Sequence, residues 1–448
     1  MSTDLNVWMN GELVGVWSRT RTGGHRFAYE ESWLGSARRR SLSLSLPIGP
    51  SREIRGEAVS SYFENLLPEN DNIRRRLSTR FHTRSTEAFD LLTAIGRDCV
   101  GAVQLLPPQA TPEGFDRVEG VPMDDAEIER LLRAVTAEPM PGVEEDLDQF
   151  RISIAGAQEK TALLRKNERW YRPHGATPTT HILKLPLGLV GGLQADMSES
   201  VENEWLCAQI LREFGFPVAN TEMAVFGSQK VLVVERFDRQ WMDGRRWIAR
   251  LPQEDFCQAL AVPPDRKYES DGGPGIEDGL KLLSGSNSPN ADREQFLMAQ
   301  FAFWLLAATD GHAKNFSVFL NAGDTYRLTP LNDVLSAWPV IGHGSNLISP
   351  QKARLAMGIH AKNMHYRLSD IRARHFRELA ANSGVPAAWD RMLELVDNVP
   401  PALAAVEKRL GADFPQTLWE KISSGTLSQA YAFKKGGSDG QSTAKTST

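Results

Sequence analysis

The 448-residue sequence predicts an α+β chain of two or three packed units: an N-terminal α+β subdomain, a small strand-rich lobe and a mostly helical C-terminal lobe. Three observations lead there. The chain is too long for one ordinary core. Its apolar spacing passes from strand-like alternation in the first half to helical spacing after Asp255. A proline-rich stretch from Leu106 to Pro122 parts the first alternating segments from the next, as linkers do.

Leu5, Val7 and Met9 alternate up to Asn10-Gly11, and a second run passes through Leu13 and Val16, which predicts a hairpin with a type I′ turn. Ser41 to Leu46 alternates strictly between Ser and Leu, the pattern of a half-buried strand, whereas Ser61 to Arg80 and Glu87 to Ile95 carry helical spacing. These elements make up a subdomain over residues 1–110. Residues 111–149 hold the linker and a helix, announced by Asp124 and Glu127 as a capping box ahead of Ile128, Leu131 and Leu132. Over residues 150–240, short strands are predicted at Ile152 to Ile154, Thr161 to Leu164, Trp170 to Tyr171, Ile182 to Leu185 and Lys230 to Phe237. An amphipathic helix from Ser200 to Phe214, closed by Gly215 and Pro217, lies among them. Residues 241–435 predict helices at Asp292 to Ala308, Ala373 to Ala381, Ala387 to Val396 and Pro401 to Leu410. Residues 436–448, rich in Gly, Ser, Thr and Lys, predict a disordered tail.

Composition removes several function classes. With 41% hydrophobic and 24% charged residues the balance is that of a globular protein. The longest apolar stretch, Phe296 to Ala308, is interrupted by Gln300 and too short to span a bilayer. The start, Met1-Ser2-Thr3-Asp4, has no basic and apolar regions of a signal peptide, so the expected location is the cytoplasm, with no membrane partner. Three scattered cysteines, Cys99, Cys207 and Cys257, support neither a disulfide framework nor a zinc site. A net charge of −5 speaks against a surface built to grip nucleic acid. The basic runs Arg38 to Arg40, Arg74 to Arg76 and Arg367 to Arg377 read as solvated faces.

The chemistry gathers in one order along the chain. Asp310-Gly311-His312-Ala313-Lys314-Asn315 sets an aspartate five residues ahead of an asparagine, and Asp333 follows 23 residues after Asp310. In a kinase catalytic loop an Asp takes the substrate hydroxyl proton, the Asn five positions on helps hold magnesium, and a later Asp holds the metal bridging the phosphates. Upstream, Ser153-Ile154-Ala155-Gly156-Ala157-Gln158-Glu159-Lys160 offers small residues between two strands, where backbone N–H groups approach phosphate oxygens closely. Lys184 is a cation within an apolar strand, with Glu202 or Glu204 on the next helix as a partner. The strand ending in Glu235-Arg236-Phe237 reads as a hinge for an adenine edge. Each feature alone is compatible with an ordinary turn, a solvent-facing lysine or a buried strand. Loop, lysine, hinge, Asp-x4-Asn and Asp in sequence point to phosphoryl transfer, with His312 beside the nucleotide and Lys314 near the developing phosphoryl charge.

These residues, with longer strings around them, resemble the HipA family of bacterial serine/threonine kinase toxins. The resemblance runs from Leu42-Ser43-Leu44-Ser45-Leu46-Pro47 and Asn65-Leu66-Leu67-Pro68-Glu69 through Ala155 to Lys160 and Leu251-Pro252-Gln253-Glu254-Asp255. It continues through Tyr268-Glu269-Ser270-Asp271-Gly272-Gly273-Pro274-Gly275 to Thr309–Asn315. It implies a two-lobed protein-kinase-like fold, related to lipid kinases, with the nucleotide between the lobes. It implies Asp310 as the catalytic base and Asn315 and Asp333 as Mg2+ ligands. ATP contacts would come from residues Ala155, Gly156, Ala157, Gln158, Glu159 and Lys160, from Lys184, from Glu235, Arg236 and Phe237, and from His312, Ala313, Lys314, Asn315, Asn332 and Asp333. It also implies inactivating autophosphorylation at Ser153, a HipB-like helix-turn-helix antitoxin for which the toxin acts as corepressor on operator DNA, and glutamyl-tRNA synthetase as substrate. Two other readings share the skeleton: a catalytically idle corepressor or scaffold, and a small-molecule kinase. Arg372, Arg374 and Arg377 along one helix would give at most a supplementary grip on DNA phosphates.

Overall fold

The computed structural model describes residues 4–137, 156 and 158–442. Two compact units form, each drawing on three stretches of chain: Met1–Leu185, Glu222–Lys267 and Ser317–Tyr326 in the first, Pro186–Thr221, Tyr268–Phe316 and Arg327–Thr448 in the second. The N-terminal subdomain and most of the strand-rich lobe therefore share one unit, while the helix Ser200–Glu213 of that lobe belongs to the other.

In the first unit a five-stranded sheet runs in the order Glu53–Arg55, His25–Tyr29, Glu12–Arg19, Asp4–Met9, Val103–Leu106. Its first hairpin turns at Asn10 (φ 46°) and Gly11 (φ 83°), the paired left-handed residues a type I′ turn demands. Behind it Trp17 stacks on Phe63 with ring centroids 3.8 Å apart, within a core that includes Val7, Phe27, Phe89 and Leu92. A second sheet follows the order Thr221–Phe226, Gln229–Glu235, His181–Lys184, Lys160–Lys166, Arg169–Pro173, Gly120–Met123. The linker region thus supplies its edge strand, and the capping box at Asp124 and Glu127 starts the helix Asp125–Thr136 that covers it with Ile128, Leu131 and Leu132.

Ser41 to Leu46 is not a strand. The Leu42 N–H donates to Tyr29 Oη at 2.7 Å, that hydroxyl donates to the Leu46 carbonyl at 2.5 Å, and Ser43 Oγ accepts the Ser45 N–H at 3.1 Å. Local side-chain bonds have taken the place of a ladder. The leucines are anchors, and the serines are joinery. Leu44 N–H donates to Glu254 Oε1 at 2.8 Å, Ser45 Oγ donates to the Gln258 carbonyl at 2.7 Å, and Gln258 Nε2 donates to the Tyr62 carbonyl at 3.1 Å. Burial pushes the Glu254 carboxyl up to about 8, against the opposing hydrogen bonds from Leu44 and Ser43.

In the second unit the helix Pro289–Leu306 is buried along most of its length. Phe301 meets Phe376 edge-on at 5.0 Å and Phe433 at 4.7 Å. Two helices expected at Ala387 to Val396 and Pro401 to Leu410 are one, Ala387–Glu407, which passes through Pro400 and Pro401 because Val399, Ala402, Leu403 and Val406 bury one continuous face. The last helix, Gln416–Ser442, carries regular structure into the stretch expected to be disordered from Gly436. Among the described residues no helix is long and apolar enough to cross a membrane, and Cys99, Cys207 and Cys257 are buried and not disulfide-bonded.

Candidate active site

The helix Pro289–Leu306 ends on Ala307 in the left-handed region (φ 49°), with the Ala308 N–H donating back to the Phe303 carbonyl at 2.8 Å. This stop throws the chain off the helix at a fixed angle and delivers Asp310. Gly311 then passes against the Phe303 ring, where a Cβ would collide. The Asp310 side chain is 64% exposed, while its backbone carbonyl accepts the His312 N–H at 2.8 Å and Asn315 Nδ2 at 2.9 Å.

Asn315 Nδ2 also donates to the Asp333 carbonyl at 3.4 Å, so one amide group holds the backbones of both aspartates. The sequence spacing becomes a single place. With its hydrogens spent on carbonyls, Asn315 turns its Oδ1 to acceptor or ligand duty. That oxygen and the Asp333 carboxylate are hard donors and few in number, which fits Mg2+, a metal that keeps several waters. Asp333 itself is left-handed (φ 59°). It sits between two clamps. Upstream, Leu331 exchanges hydrogen bonds with the segment around Val218, its N–H to Pro217 and its carbonyl from Ala219, each 2.9 Å. Downstream, Ser336 exchanges two 2.8 Å bonds with the buried Asn203 side chain, and its hydroxyl donates to the Leu306 carbonyl at 2.6 Å.

Those clamps were not read from the sequence; a polar Asn203 in the helix Ser200–Glu213 was the available signal, and only burial gives it meaning. Tyr268 lies in the string Tyr268 to Gly275, in which spacing alone gives it no role. Its hydroxyl donates to Asp310 Oδ1 at 2.5 Å, and its ring meets His312 edge-on at 5.0 Å. His312 is buried, with Nε2 3.9 Å from Asp310 Oδ1. Ala313 is buried, and Lys314 and Asn332 are half-buried.

In the first unit Lys160 and Lys184 are directly opposed partners on adjacent antiparallel strands. Lys184 is only 6% exposed. Lys160 Nζ approaches Gly156, whose φ of +107° is a backbone conformation that side chains rarely adopt. Gly156 is held from the N-terminal subdomain by a parallel bridge to Pro68, with the Glu69 N–H donating to its carbonyl at 3.4 Å. Glu159 is ion-paired to Arg76, and Gln158 Nε2 donates to the Leu185 carbonyl at 2.5 Å. Ser153, Ala155 and Ala157 lie outside the described residues.

The hinge expectation meets a structural competitor at Arg236. Its N–H donates to the Thr180 carbonyl at 2.9 Å, and its guanidinium is buried between Asp98 (3.3 Å) and Asp238 (2.9 Å), in a network completed by Arg239 and Arg250. Burial opposes ionisation of Asp98, but the guanidiniums of Arg239, Arg250 and Arg236 outweigh it and hold its carboxyl below the usual range. Arg236 is fold machinery; of its neighbours, Glu235 is exposed at the strand end, and Phe237 packs edge-on to Phe319 at 5.8 Å.

Residues 152–405 match the model of the HipA-like C-terminal domain, and residues 5–106 that of the HipA N-terminal domain. The chain belongs to the HipA family. A protein of Sinorhizobium fredii named Putative kinase Y4mE is 34% identical over 90% of this chain and 91% of its own length. The serine/threonine-protein kinase toxin HipA of Shewanella oneidensis is 29% identical over 65% of this chain and 66% of its own. Among solved structures, the Shewanella oneidensis HipA in complex with HipB and operator DNA superposes with a TM-score of 0.78 at 23% identity, over 96% of this chain and 97% of that one. The HipA fold, kinase-like with mixed helix and sheet, is thereby shown, and the relatives support a kinase.

Proposed function

We propose that this HipA-family chain is the toxin of a type II toxin-antitoxin pair and an ATP- and Mg2+-dependent serine/threonine-protein kinase. The observation that carries the reading is the Asn315 amide, which draws the catalytic-loop aspartate and the later aspartate together at 2.9 and 3.4 Å through their carbonyls. Asp310 takes the proton of an acceptor serine or threonine as the oxygen attacks the γ-phosphorus and the bond to ADP breaks. Asn315 and Asp333 would hold Mg2+, which would supply charge neutralisation on the phosphates. In the first unit Lys160 and Lys184 take phosphate oxygens, with Gly156 allowing a close backbone approach.

The family resemblance supports glutamyl-tRNA synthetase as the protein substrate, whose phosphorylation halts translation and promotes dormancy. It also supports autophosphorylation at Ser153 as the off-switch: a dianion there would repel the phosphates of ATP. The toxin partners a HipB-like antitoxin and, through it, operator DNA as a corepressor. The test is transfer of label from γ-labelled ATP to glutamyl-tRNA synthetase by the wild type and by Asp310→Asn. Loss of label in the variant is expected, and equal labelling by both proteins removes the assignment of Asp310. Operator DNA shifted by antitoxin and chain together, beyond antitoxin alone, checks the corepressor role.

A further inference from the structure

The carboxylate of Asp310 has little around it to choose its orientation. Its side chain is 64% exposed, and His312 Nε2 at 3.9 Å is beyond hydrogen-bond reach. A base must be aimed before it is useful, since a small misplacement of the reacting groups costs much of the rate. Among the described residues one hydrogen-bond donor meets that carboxylate, Tyr268 Oη, at 2.5 Å from Oδ1.

Tyr268 is itself held firmly. Its carbonyl accepts the N–H groups of Asp271 (3.0 Å) and Gly273 (2.9 Å), which closes the turn Glu269–Asp271. Its ring edge packs on His312 with an interplanar angle of 85°. The next residue, Glu269, ties the segment to the strand Arg354–His360, where Oε2 accepts the Gly358 N–H at 2.6 Å, and to the Tyr366 hydroxyl. Gly275 lies against the same carboxylate so closely that a Cβ would collide with it. The tethers end in a phenol on one oxygen of Asp310.

We infer that Tyr268 is the positioning residue of the catalytic base. Its hydroxyl occupies Oδ1 and fixes the carboxylate rotamer, which presents Oδ2 to the acceptor hydroxyl; Glu269 fixes Tyr268 in turn. The inference rests on the kinase reading of Asp310. It assigns a role to the Tyr268-Glu269 pair that spacing and motif left without one.

The experiment measures steady-state phosphotransfer from ATP for wild type, Tyr268→Phe, Asp310→Asn and the double variant. Phenylalanine keeps the ring against His312 and deletes only the hydroxyl. kcat of Tyr268→Phe is expected to fall about 10- to 100-fold, the scale of one hydrogen bond to a charged group, with KM for ATP unchanged. The double variant is expected to be no slower than Asp310→Asn, because the tyrosine acts through the aspartate. An unchanged or raised kcat, a loss confined to KM, or losses that multiply in the double variant would each overturn the inference while the kinase reading stands. A wild type that transfers no phosphate removes that reading and this inference with it. Glu269→Gln, which keeps an acceptor for the Gly358 N–H, guards against an effect private to the phenylalanine: kcat near wild type is expected, and a thermal midpoint equal to wild type with kcat as low as Tyr268→Phe would overturn the tether.

Discussion

Glu254→Gln probes the joint between two of the strings that mark this family. Glu254 is fully buried, its Oε1 accepts the Leu44 N–H at 2.8 Å, and burial raises its carboxyl from the ordinary 4.5 to about 8. An acid whose folded pKa is raised stabilises the fold below the unfolded value, and that stability is lost as pH climbs through the folded one. At about 1.36 kcal/mol per pH unit the whole interval is worth on the order of 5 kcal/mol, of which roughly 2 to 3 kcal/mol disappears between about pH 6 and pH 9. Glutamine keeps an acceptor for Leu44 and does not ionise. Urea unfolding of both proteins at a series of pH values should therefore show the wild type losing about 2 to 3 kcal/mol relative to the variant from about pH 6 to pH 9. A difference constant across that range would refute the reasoning, because it would mean that the carboxyl titrates alike in folded and unfolded chains.

Asp98→Ala leaves Arg236, Arg239 and Arg250 with Asp238 as the remaining carboxylate of their network. A destabilisation of about 3 to 5 kcal/mol is expected, read from the urea midpoint. Arg76→Ala frees the Glu159 carboxylate beside the phosphate loop; KM for ATP should rise by about 3- to 10-fold with the melting temperature little changed, the effect of one partly buried charged contact. Asn203→Ala removes both bonds to Ser336. It should weaken Mg2+ dependence of activity, seen as a higher Mg2+ concentration at half-maximal rate, with a stability loss of about 1 to 3 kcal/mol from the unpaired Ser336 backbone.

Much of the architecture was legible where local chemistry alone decides it. Asn10-Gly11 can turn a hairpin without help, and Asp124 with Glu127 caps a helix whatever packs on it. Ser41 to Leu46 was misread because alternation records which residues are apolar and not where backbone groups find partners. Here Tyr29, 13 residues from Leu42, supplies them. Ala387 to Val396 and Pro401 to Leu410 were expected as two helices because propensity is local, whereas the buried face of the one helix Ala387–Glu407 is set by neighbouring helices. At the candidate site, the convergence of Asp310, Asn315 and Asp333 was legible because their types and spacing follow a known pattern. The buried role of the Arg236 side chain was not legible because a strand end says nothing of Asp98, 138 residues earlier. Tyr268 and Asn203 were silent for the same reason, since their partners are distant in sequence.

The interleaved division of the chain has a consequence for its birth on the ribosome. The first unit needs Ser317–Tyr326, whose residues Ser317–Phe319 pair with Gln253–Asp255, so its first 185 residues must wait for a late strand. At a synthesis rate of about 5–20 residues per second that wait lasts roughly 7 to 28 seconds. For that interval the nascent first unit lacks a piece of its own structure, and the stretches of both units emerge by turns. Neither unit has all of its stretches until residue 326 has been made, so their packing follows synthesis of the first three hundred or so residues instead of accompanying it.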